Sequence, residues 1–209
     1  MKRLYRSVGL ISALAAACGG GTRQVLEPPR LDLKPYGRVG LVLFTVEKAK
    51  GSLNDLATQR FSEDILAAQP GIEVLELGAV DSVRQRVGET EYGPATAQAL
   101  AGRKIPVVFF GRLKISDVKA SGGLAGLTMP HVEATISAEL TVGLYSTETG
   151  GTLWRASGTA SRKVGGLSIV GGEPYFSAKD PDKTYVAMVN DLVYHVTYDL
   201  RSTWVTERN

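Results

Sequence analysis

The 209-residue chain has one cysteine, two histidines and no apolar run approaching the roughly 20 residues that a membrane-spanning helix needs. A single thiol cannot close a disulfide within the chain, so no cystine framework is available to staple it. His131 and His195 lie far apart, and neither has a second His or Cys at ligand spacing, which argues against a zinc site. A Walker phosphate loop, with its closing Lys-Ser/Thr, is also missing. The sequence therefore gives no reason to expect a metal or a cofactor. The formal charge of +3 and isoelectric point near 9.0 would suggest an affinity for polyanions, but the distribution of charge removes that suggestion.

The first residues read MKRLYRSVGLISALAAACGGG. Lys2, Arg3 and Arg6 precede a short apolar stretch, Val8 to Ala17, which is the pattern of an exported leader. The stretch ends in AAAC, so the only cysteine stands behind small residues where a lipoprotein leader would be cut. Residues 1–17 are expected to be a signal peptide and Cys18 a lipidated N-terminus. Acyl chains such as palmitate would then hold the protein on a membrane, each buried CH₂ contributing about 0.8 kcal/mol. Cleavage removes three of the 24 basic residues, leaving 21 against 21 acidic ones. A mature chain near neutrality has no bulk attraction to nucleic acid, and no nucleic-acid partner is expected.

Residues 18–37, with GGG and EPPR, read as the lipidated cysteine and a flexible tether. The remainder, 38–209, reads as one domain. Arg38 to Glu47 is a nearly continuous apolar strand of the kind buried on both faces. Leu53, Ala57, Phe61, Ile65 and Ala68 recur at helical spacing behind Ser52 as N-cap, and Pro70-Gly71 stops that helix. A strand over Ile72–Leu77 follows, then weaker helical stretches over Asp81–Val87 and Ala95–Leu100. The pattern changes at Ile105. A long strand leads to HVEATISAELTVGLY, where Val132, Ala134, Ile136, Ala138, Leu140, Val142 and Leu144 alternate with polar residues. That period of two predicts an antiparallel strand with one buried face. A further strand runs from Thr152 to Arg162. A last helix is predicted from the cap Asp180 and Pro181 to about Trp204. The order β-α-β-α-β-β-β-α predicts an α/β (α+β mixed) domain with one mixed sheet.

Three glycine-rich stretches invite a ligand. TETGGT, Thr147 to Thr152, lies between two strands and leads into a strand, whereas a phosphate cradle needs a helix N-terminus next. It is read as a hairpin turn. SGGLAG, Ser121 to Gly126, resembles a dinucleotide fingerprint but is followed by no helix, so it is read as a hairpin loop. VGGLSIVGGEP, Val164 to Pro174, contains Ser168, yet Val170 stands where a nucleophile elbow requires glycine. Gly165, Gly166, Leu167 and Ile169 are taken as a candidate partner-contact loop. No catalytic residue is assigned.

The assembled order, RVGLVLF, IEVLEL, VVFFGRLK and LTVGLYSTETGGTLWRASG, resembles the CsgG/LpoB-like group of bacterial envelope lipoproteins. Thr149, Gly150 and Trp154 match the Thr-Gly-x-x-x-Trp turn of that group. The resemblance implies a three-layer fold related to anticodon-binding domains, a non-enzymatic role and an envelope protein as partner. It implies a lipid-anchored, periplasm-facing location, at the outer membrane in preference to the inner, and it allows a homo-oligomer. The function expected is a protein-binding adaptor in envelope assembly or secretion. The alternatives are an oligomeric curli-type secretion component and an uncharacterised hydrolase.

Overall fold

The computed structural model describes residues 22–47, 52–78, 94–100, 104–116, 119–124, 130–170, 173–178 and 181–208. Cys18 and the helical stretch expected over Asp81–Val87 lie outside the described residues. The chain divides into two compact units, one of Met1–Glu27 with Thr203–Asn209 and one of Pro28–Ser202.

In the first unit, β1 (Thr22–Glu27) pairs antiparallel with β10 (Thr203–Arg208) over six residue pairs. Both segments differ from expectation. Residues 22–27 are a strand rather than part of a tether, and the last helix stops well before Trp204. The segment TWVTER is rich in β-branched and aromatic residues, which fit a pleated surface better than a helix. Residues 28–36 are not tether either. Leu33 is fully buried, and Lys34–Tyr36 form one turn of 3₁₀ helix.

The second unit is a mixed α/β domain, as the order of patterns predicts. Its elements are β2 (Arg38–Leu41), β3 (Thr45–Glu47), α1 (Leu53–Ala68), β4 (Glu73–Glu76), α2 (Pro94–Ala99), β5 (Val107–Ile115), β6 (Lys119–Leu124), β7 (Pro130–Ser146), β8 (Thr152–Val170), β9 (Glu173–Ala178) and α3 (Pro181–Val196). The sheet runs β4-β2-β5-β7-β8-β9, with β3 on β5 and β6 on β7. β2 lies parallel to β4 and β5, the signature of the β2-α1-β4 crossover, and β5, β7, β8 and β9 are antiparallel.

Alternation in β5 sorts the core into two layers. Val107, Phe109, Leu113 and Ile115 face α1 and α3, packing on Phe61, Ile65, Met188 and Leu192. Val108 and Phe110 face the other way, onto Ala97 of α2 and Leu100. Helices on both faces give three layers.

The expected strand Arg38–Glu47 is broken between β2 and β3. Gly111 offers the slot that breaks it, since a Cβ there would lie 2.4 Å from the Phe44 ring. Phe44 turns into that slot, and its N–H donates to Thr58 Oγ1 at 2.9 Å instead of to a ladder carbonyl. Ser52 is the N-cap of α1, but its side chain makes no capping bond. Gln69, just past α1, is fully buried and ties three segments together. Its Oε1 accepts from Leu33 N at 2.6 Å, and its Nε2 donates to Leu31 O at 2.5 Å and to Leu200 O at 3.1 Å. At the end of α3, Thr197 and Arg201 both donate to Asp64 Oδ2 of α1, at 2.9 and 2.5 Å.

The long antiparallel strand is present as β7, whose Ile136, Ala138, Leu140, Val142 and Leu144 are buried. Two expected loops are strands instead. Ser121–Leu124 belong to β6. β8 does not end at Arg162 but continues to Val170, and β9 pairs with it from Gly165 onward. Thr135 faces Lys163 and Ala134 faces Gly165, so Val164 is the extra residue of a bulge. The glycines that read as a connection carry an extended ladder on both sides.

Candidate functional site

TETGGT is a turn, and hydrogen bonds account for its shape. Gly150 N donates to Ser146 O and Ser146 N to Gly151 O, both at 2.9 Å. Thr147 is buried, with its hydroxyl on Ile105 O at 2.5 Å. Gly150 has φ +72, and a Cβ there would lie 2.8 Å from Pro94 O. Glycine is therefore required both by conformation and by the approach of α2. Trp154 points to the opposite layer, edge-on to Phe109 at 6.1 Å, with Nε1 donating to Asp199 Oδ2 at 3.2 Å. The motif has a structural role.

The candidate partner-contact residues Gly165, Gly166, Leu167 and Ile169 all lie in β8, between β7 and β9. Gly165 is buried. His131 of β7 and Ser168 of β8 are register partners. His195 lies apart from them in the last turn of α3, beside Ser157, Gly158, Thr159, Tyr198 and Asp199, which line a groove of about 440 Å³. Among the described residues, no group of three His, Cys, Asp or Glu side chains is placed to hold a metal ion. No described helix is long and apolar enough to cross a membrane.

The features that the sequence does not announce lie on the α2 side of the sheet and along β8. α2 is six residues long, and the described residues clustered with its Ala97 are Val42, Leu77, Leu100, Val108, Phe110 and Tyr145. Beyond it the sheet face is polar. Thr141 and Ser157 share a hydrogen bond at 2.9 Å, and Ser137 and Ser161 one at 2.8 Å. Such hydroxyl pairs are typical of a face built to stay in water.

Where α2 ends, Gly143 lies in the face. It stands opposite Phe110 on one side and Arg155 on the other. A Cβ on Gly143 would lie 2.8 Å from Tyr145 Cε2, so the missing side chain lets that ring lie over the strand. Phe110, Arg112, Thr141, Tyr145, Arg155 and Thr45 enclose a hollow of about 310 Å³ around it. Arg155 Nη2 donates to Tyr145 Oη at 3.1 Å, and among the described residues Arg155 has no carboxylate partner. Arg112 Nε is 3.5 Å from Glu47 Oε1, with both side chains about half exposed, so this pair is weak. Arg112 and Arg155 both line this hollow, and Glu47 meets Arg112 from outside its lining.

The same Arg155 stands on an open sheet edge. β9 occupies the outer edge of β8 only from Gly165, so from Thr152 to Val164 no described strand pairs with it. Outward side chains Leu153, Arg155, Ser157, Thr159 and Ser161 are exposed. Basic Arg162 and Lys163 stand at the far end, bonded to Asp191 and Glu133.

No protein-family model and no curated protein matches the chain. Among solved structures, it is similar to the PelC dodecamer protein of Paraburkholderia phytofirmans, at 14% identity over 87% of this chain and 96% of that one, with a TM-score of 0.44. Lipoprotein GNA1162 of Neisseria meningitidis is similar at 12% identity over 60% and 83%, with a TM-score of 0.38. The C-terminal domain of LpoB from Salmonella enterica matches at 14% identity over 60% and 83%, with a TM-score of 0.36.

Proposed function

We propose that this protein is a periplasm-facing lipoprotein, anchored through acylated Cys18, that serves as a non-catalytic protein-binding adaptor in envelope assembly or secretion. The observation that supports it most is the outer edge of β8, with which no described strand pairs from Thr152 to Val164. A strand edge of this length presents a row of main-chain donors and acceptors, and an extended partner segment that adds to it gains hydrogen bonds without covalent chemistry. The resemblance to the CsgG/LpoB-like group, carried by Thr149, Gly150 and Trp154, points to the same envelope setting, with the outer membrane as the favoured location.

Affinity capture from detergent-solubilised envelopes tests this reading. The lipidated chain should recover a protein that a Cys18→Ser control, left off the membrane, does not. Recovery of the same proteins by both, or of none above background, argues against it.

An oligomeric curli-type secretion component is the second reading. The four-stranded ribbon β6-β7-β8-β9 lends it some support, because it extends the sheet as paired hairpins. β6 and β9 are only six residues each, short of the roughly 9–11 that a strand needs to cross a bilayer. A monomer mass in mild detergent removes this reading.

A further inference from the structure

We propose that the β1–β10 ribbon lies on the lipid surface to which Cys18 is anchored, with Trp204 and Leu26 set into the headgroup layer. The inference rests on acylation of Cys18, which belongs to the proposed function, and adds a second, non-covalent contact with the membrane. Three observations carry it.

The first is the sorting of the ribbon's two faces. Residues opposite one another in a paired ribbon share a face, and successive residues alternate between faces. Leu26 is opposite Trp204 and Gln24 opposite Thr206, so these four share one face, with the positions of Thr22 and Arg208 at its end. Arg23 with Glu207, Val25 with Val205 and Glu27 with Thr203 hold the other. The charged residues Arg23, Glu27 and Glu207 are therefore all placed away from the face that carries the tryptophan and the leucine.

The second is exposure, which runs against ordinary burial. Trp204 is 68% exposed and Leu26 48%, whereas Val25, Thr203 and Val205 on the other face are half-buried. Directly opposed side chains have Cβ atoms about 4.5–5.5 Å apart, so Trp204 and Leu26 form one apolar patch. Tryptophan suits a bilayer interface, because its ring is apolar and its indole N–H finds polar partners among headgroups. Trp154 shows the contrast, since it packs on Phe109 and donates its N–H to Asp199.

The third is reach. Cys18 precedes Thr22 by four residues. An extended chain spans at most about 3.6 Å per residue, so Thr22 stays within about 14 Å of the acylated residue. Leu26, four residues further along a strand, stays within about 27 Å. The membrane is within reach of this face at all times, whereas a protein must be met by diffusion. A two-stranded ribbon is marginally stable in water by itself, and a lipid surface that takes up its apolar patch supports it.

The test reconstitutes the lipidated chain into vesicles of phosphatidylethanolamine and phosphatidylglycerol, with or without brominated acyl chains, and reads tryptophan emission. Bromine quenches only rings that contact the bilayer. Wild type should lose emission in brominated vesicles. Trp204→Phe should not, because the remaining Trp154 is packed on Phe109. Leu26→Gln should reduce the loss while keeping Trp204. Both variants should melt with wild type by circular dichroism, because both side chains are exposed. Equal loss in wild type and Trp204→Phe, or no loss in either while labelled fatty acid is incorporated, would overturn the proposal and leave the anchor standing. A Trp204 shielded from aqueous acrylamide but untouched by bromine would overturn it too, by assigning this face to a protein, either a partner or a second copy. A chain that takes up no labelled fatty acid removes the anchor and the proposal together. Envelope capture decides the adaptor reading separately.

Discussion

At the scale of the residue, the domain depends on a few positions that composition alone does not single out. Gln69 is the clearest. A buried amide with three main-chain partners leaves three orphaned groups when it is removed. Gln69→Ala should cost about 2–4 kcal/mol in urea unfolding, more than the same change at an exposed Gln of α1 such as Gln59. Gly111 is the second. Its Cβ would meet the Phe44 ring at 2.4 Å, against a rigid core, so Gly111→Ala should cost about 1–3 kcal/mol by overpacking. Thermal unfolding of this variant against Gly151→Ala, where only the Thr149 hydroxyl is near, checks that prediction. Neither Gln69 nor Gly111 was legible in the sequence, because what makes each of them necessary comes from segments remote in the chain. Gly150 and Trp154 were legible, since a turn of glycine between two alternating strands is a local pattern.

At the scale of the element, regular periodicity decided what could be read. β7 follows a strict period of two, and its inward residues are those that the pattern names. Leu140 is fully buried while Thr141, its neighbour, lies on the polar face. Leu140→Ala should therefore cost about 2–5 kcal/mol and Thr141→Ala about 1 kcal/mol or less, measured by chemical denaturation of both variants. The α1 stripe of Ala57, Phe61 and Ile65 was equally plain. The errors have a common cause. β1 and β10 are defined by each other across most of the chain, and neither has a local signal strong enough to stand alone. Residues 164–170 read as a loop because glycine is a loop-former on its own. Once β7 and β9 flank them, the same glycines become ladder positions beside a bulge. The last helix ended early because β-branched residues after Val196 favour a strand when a partner strand exists.

For the whole molecule, a mixed α/β domain carries the edge of β8 to which no described strand pairs between Thr152 and Val164. The proposed lipid anchor at Cys18 makes a direct prediction. Cys18→Ser should lose incorporation of labelled fatty acid and shift the protein from the membrane to the soluble fraction, with the domain's thermal midpoint unchanged. The fold class was legible from the order of patterns, and the three layers from the family resemblance. The edge proposed for binding was not, because it is defined by which described strand fails to pair with it. The central claim is that a partner protein lies along β8. Site-specific photo-crosslinking in living cells tests it most directly, with a photoreactive residue in place of Thr159 on the open edge or of Leu66 on the exposed side of α1. The account predicts one discrete adduct of an envelope protein from position 159 and none from position 66. Adducts of the same size from both positions, or from neither, would contradict it.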